Sequence, residues 1–158
     1  MKSNKTSFIA TFSLATFLTI PILAGPSQAK EGTASELETF QGKWSAPRTS
    51  DNGQPCTHQL EISKNKFTFR ILDADNQTKL LAQGEVKLDK TGPFQTIVFS
   101  NIKAGGSKAE LDEIDDTYTA IYKFGEDGSM LLVTNFDKDR ENQKPSLDVY
   151  KKATQALK

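Results

Sequence analysis

From Lys43 onward, apolar side chains recur at every second position in a series of short runs. His58, Leu60 and Ile62 alternate with Gln59 and Glu61, and Phe67, Phe69 and Ile71 alternate with Thr68 and Arg70. Leu80, Ala82, Gly84, Val86 and Leu88 make the longest stripe, set against Gln83, Glu85 and Lys87. Ile97 and Phe99, then Tyr118, Ala120 and Tyr122, then Met130 to Asn135, and last Leu147 with Val149 continue the pattern. Period two places one side of each run in a core and the other in water. Between the runs stand turn signals: Pro47 and Ser50-Asp51-Asn52-Gly53, Lys64-Asn65, and Glu126-Asp127-Gly128. The stretch Ile102 to Asp115 reads as the longest loop and Asp137 to Pro145 as a second, charged one. Helical spacing occurs once: Ser35-Glu36-Leu37-Glu38 has the form of a capping box, with Leu37 and Phe40 on one face and Gly42 as the stop.

Eight short strands in sequence, connected by hairpins, predict an all-β protein. The expected architecture is an eight-stranded up-and-down antiparallel barrel over residues 35–153, preceded by a short N-terminal helical turn. Closure removes the open edges that a flat sheet must protect, and Gly84 supplies the sharp bend that a small barrel needs.

The segment Phe40-Gln-Gly42-Lys-Trp44, carrying the single tryptophan, resembles the start of the lipocalin-like barrels of the calycin superfamily. More narrowly, the chain resembles small secreted lipocalin-like domains of unassigned activity, common in planctomycete bacteria. Leu37 with Gly42-Lys-Trp44, Gly84-Glu-Val-Lys-Leu88-Asp89 and Leu147-Asp-Val-Tyr-Lys151-Lys152 are the matching stretches. The resemblance implies a barrel plugged at one end, where the tryptophan packs under a basic side chain of the last strand. Lys151 shares parity with Leu147 and Val149, so Gly42, Trp44 and Lys151 are the expected closure residues, with Lys152 facing solvent. The basic residue usual in that family is arginine, and lysine stacks less well on a ring, so a looser closure is implied.

Composition narrows the setting. Lys2 and Lys5 precede an uncharged, mostly apolar stretch, Phe8 to Leu23, and Ser27-Gln28-Ala29 offers small residues for cleavage. Residues 1–29 thus read as a signal peptide, residues 30–34 as a disordered start and residues 154–158 as a tail. The apolar run falls short of a spanning helix, so no transmembrane segment is expected after cleavage, and the protein is expected outside the cytoplasm, periplasmic or extracellular. Removing 29 of the 158 residues leaves 129, one domain. The leader takes two of the 20 basic residues and none of the 20 acidic ones, for a mature net charge of −2. That balance, with no basic cluster, excludes nucleic acid as a partner. Cys56 is the single cysteine, so no internal disulfide forms. A monomer is expected.

Candidate chemistry is thin. Cys56 and His58 share a strand face, but His58 is the sole histidine and a metal site needs three or four ligands. Asp73-Ala-Asp75-Asn76-Gln77 and Asp137-Lys-Asp139-Arg-Glu141 alternate oxygen ligands without the glycine and final glutamate of a calcium loop. The run Glu110 to Asp116 is acidic but reads as a solvated turn. No phosphate-cradling loop, nucleophile elbow or dinucleotide fingerprint is present. No metal, cofactor or catalytic residue is assigned, and the chain reads as a non-enzyme. The leading expectation is binding of a small apolar or amphipathic ligand inside the barrel, with Phe67, Phe69, Ile71, Val86, Ile97, Phe99, Tyr118 and Tyr122 as interior candidates. The alternative is a protein-interaction or inhibitor module acting through the loops at 102–116 and 136–146. Free interior volume separates the two, because eight strands with many aromatics can simply fill.

Overall fold

The computed structural model describes residues 34–136 and 144–153. The expectations for residues 1–33, for most of the second charged loop (137–143) and for the tail at 154–158 lie outside the described residues. A helix α1 (Ala34–Phe40) leads into strands β1 (Gly42–Thr49), β2 (Pro55–Ser63), β3 (Lys66–Leu72), β4 (Thr78–Thr91) and β5 (Phe94–Gly105). A short β6 (Asp112–Ile114), then β7 (Tyr118–Phe124), β8 (Met130–Thr134) and β9 (Ser146–Lys152) follow. The helix begins at Ala34, so Ser35, read as its N-cap, falls within it.

Every pairing is antiparallel, and sequence neighbours pair from β1 to β5 and from β7 to β9. The β5–β7 and β9–β1 pairs close the ring, giving a closed eight-stranded up-and-down barrel. The turns form where the sequence places them. Lys64 takes a left-handed φ of 55° between β2 and β3, and Gly128 takes 75° between β7 and β8. Asp73 Oδ1 accepts from the backbone N–H groups of Asp75 and Gln77, so the alternating acids of that segment are a carboxylate-capped turn. Gly84 sits at the register shift between β4 and β5. A Cβ there would lie 2.5 Å from Ser100 O and 2.7 Å from the Phe67 ring. Only a residue without a side chain lets the strands approach this closely.

One expectation needs correction at Ile102–Asp115. The first part extends β5 through Gly105, and Asp112–Ile114 folds back on it as β6. Ile102 and Ala104 pack against the core and hold the strand on course, although Gly105 and Gly106 interrupt any alternating pattern.

A second correction concerns β9. Leu147 and Val149, read as its inward face, are 53% and 44% exposed, whereas Asp148 and Tyr150 are buried. The register with β8 sets this, pairing Tyr150 with Met130 and Asp148 with Leu132, both of them interior. The basic closure residue changes with it. Lys152, not Lys151, lies on the inward parity, and its Nζ stands 5.2 Å from the centre of the Trp44 ring. Lys151 is exposed.

That end of the barrel is densely filled. Trp44 is buried and its indole N–H donates to Phe40 O at 2.7 Å. Phe40 meets Tyr122 and Phe124 edge-on, with ring centres 4.8 and 4.9 Å apart. Gln41 ties the helix to the β2–β3 turn, donating to Lys64 O and accepting from Lys64 N–H. Gly42, at φ 108°, would bring a Cβ to 3.3 Å from the Lys152 stem. The helix and Trp44 together form the floor.

Candidate functional site

Opposite this floor the barrel is not full. A cavity of about 370 Å³ opens between the ends of β1, β2, β7, β8 and β9. Its lower wall is apolar: Leu60, Phe67, Phe69, Ala82, Phe99 and Leu132. Its upper wall is polar, and β1 and β9 supply half of it. Arg48 at the end of β1 reaches across to Asp148, with Nη1 2.8 Å from Oδ1, and its Nη2 donates to Ser146 Oγ at 2.9 Å. His58, Tyr150, Tyr118, Thr134 and Asn135 complete the rim. Tyr118 donates its hydroxyl to Asn135 Oδ1 at 3.3 Å.

The ion pair is lopsided. The Asp148 side chain is 9% exposed and that of Arg48 34%. Asp148 Oδ1 has Arg48 as a charge neighbour at 2.8 Å, yet it accepts no aligned hydrogen bond. The contact is a close ion pair that leaves acceptor capacity on the carboxylate. His58 packs edge-on against Phe69 at 5.3 Å. Burial lowers its pKa from the ordinary 6.5; Asp148 opposes that shift and Arg48 reinforces it. Tyr150 is pushed well above the usual phenol range, by burial first and by Asp148 second. At neutral pH the rim holds one cation, one anion and otherwise neutral donors and acceptors.

The interior candidates divide between the two ends. Phe67, Phe69, Phe99 and Tyr118 line the cavity. Val86, Ile97 and Tyr122 belong to the packed core nearer the floor, and Ile71 is half-buried beside His58 without lining the cavity. Asp148 and Tyr150 were missed because apolar parity assigned β9 the wrong face, and Arg48 because its partner Asp148 was read as facing outward. A signal existed: Tyr150 and Asp148 share parity, and Arg48 is the one basic residue on the inward parity of the first strand.

The other candidates sit apart. Cys56 is half-buried opposite Arg48 at the rim, and among the described residues no three His, Cys, Asp or Glu side chains gather into a metal-holding group. The acidic run at 110–116 carries β6, where Glu113 pairs with Lys103 at 2.8 Å. No helix among the described residues is long and apolar enough to cross a membrane. Set against known proteins, the chain matches no family model, no curated protein and no solved structure.

Proposed function

We propose that this protein is an exported, non-catalytic, lipocalin-like carrier or receptor that holds a small amphipathic ligand in the open end of its barrel. The observation that carries the reading is the cavity itself. Its size is in the range of small-molecule sites, and it joins an aromatic and aliphatic floor to a few convergent polar groups. A signal peptide delivers it, and a monomer suffices, since the site is built within one chain.

Native mass spectrometry of the purified mature protein, followed by titration with a fluorescent apolar probe, tests this. The expected result is a retained small molecule or saturable one-to-one probe binding that Ala82→Trp, which fills the cavity, abolishes. Probe binding that is absent, or that survives Ala82→Trp in the folded variant, sinks the reading. The second reading, docking to a protein or envelope surface, draws on one observation: the outward aliphatic pair Leu147 and Val149 on β9.

A further inference from the structure

We infer that the ligand carries a neutral hydrogen-bonding head group, a hydroxyl first of all, seated against Asp148, Tyr150 and His58, with its apolar body directed towards Phe67 and Phe99. The inference rests on the binding function proposed above and adds the chemical class of ligand.

Two observations carry it. Asp148 Oδ1 is buried in the cavity wall with Arg48 Nη1 at 2.8 Å, and a carboxylate oxygen carries a second lone pair, which a donor from the ligand would satisfy. Tyr150 and His58, on the same wall, make no side-chain hydrogen bond to any described residue and are free to donate to a ligand oxygen. A hydroxyl, which both donates and accepts, uses both kinds of group at once.

Charge then decides between head groups. Arg48 and Asp148 are the charged side chains of the cavity lining, among the described residues, and they neutralise one another. A carboxylate or phosphate placed at Asp148 meets a like charge held 2.8 Å from the one cation that could offset it. An ammonium meets the guanidinium in the same way. Either charged head gives up its hydration without a free counter-ion to replace it, whereas an alcohol loses little. His58, neutral at physiological pH through its burial, adds no cation to the wall.

A ten-carbon series tests this with one tail and three heads: 1-decanol, decanoate and decylammonium, each competing with the fluorescent probe at pH 7.5. For the wild-type protein, decanol is expected to bind at least about tenfold more tightly than either ion. Asp148→Asn unbalances Arg48 and should move decanoate ahead of decanol. Tyr150→Phe should weaken decanol severalfold without promoting either ion. If decanoate or decylammonium equals decanol on the wild type, the head-group inference falls while ligand binding stands. Should no member of the series, nor the probe itself, bind, both fall together.

Discussion

Removing the two partners of the Arg48–Asp148 pair one at a time should produce unequal losses. At 2.8 Å and an effective dielectric of about 20, their attraction is roughly 6 kcal/mol before desolvation is subtracted. Much of that offsets the cost of withdrawing the carboxylate from water. Arg48→Met leaves Asp148, 9% exposed, with no charge neighbour and an unmet acceptor. A loss of about 3 kcal/mol is expected, at the lower end of the range for breaking buried pairs because the guanidinium is itself one-third exposed. Asp148→Asn leaves a guanidinium that still reaches water, and about 1 kcal/mol or less is expected. Urea denaturation followed through the single tryptophan measures both, since Trp44 lies at the far end of the barrel and reports global unfolding. The corresponding fall in melting temperature for Arg48→Met is roughly 12 °C, at about 4 °C per kcal/mol for a domain of this size. The double variant Arg48→Met/Asp148→Leu should recover most of the loss. Equal losses from the two single variants, or a double variant as unstable as Arg48→Met, would refute a pair governed by the buried carboxylate.

Lys152→Ala should cost about 0.5–1 kcal/mol, the range for an exposed cation–π contact, and Lys151→Ala less than half of that; equal effects in urea titrations would undo the corrected closure assignment. Gly84→Ala should cost more than about 2 kcal/mol or prevent folding, because its Cβ meets a backbone oxygen that cannot move aside; circular dichroism of the expressed variant decides this. His58, whose folded pKa lies below its unfolded 6.5, contributes stability that is complete above pH 6.5 and declines as the pH falls from there to the folded value. Melting curves between pH 7.5 and 5 should therefore show a smaller drop for His58→Gln than for the wild type, and parallel drops would exclude the assignment.

The barrel was legible because its strands are punctuated by residues with few other uses: Lys64-Asn65, Asp73 with its own turn, and Glu126-Asp127-Gly128. Trp44 was legible as the plugged end for the same reason, being one large ring just after a glycine. The open end was not. Its inward positions on β1 and β9 are Arg48, Asp148 and Tyr150, while the aliphatic residues of β9 face outward. Apolar alternation assumes an apolar interior, and it inverts wherever the interior is lined by a paired charge. The same inversion moved the closure cation from Lys152 to Lys151. Cross-strand register, which a single sequence does not display, was the missing information. His58 was weighed as a metal ligand and set aside, and its actual surroundings (Phe69, Asp148 and Arg48) come from three different strands.

β6 bears on how this barrel avoids sticking to itself. β5 and β7 pair only from Thr96 to Phe99, so beyond that point β5 would present a bare run of backbone donors and acceptors at the mouth. β6 covers that run through Ile102–Ala104, and its own outer edge is bordered by Asp112, Glu113, Asp115 and Asp116. A strand edge bearing this much negative charge is a poor template for a second copy. The acidic segment, unremarkable as a cation site, thus acts as a gatekeeper against edge-to-edge polymerisation where β5 parts from β7.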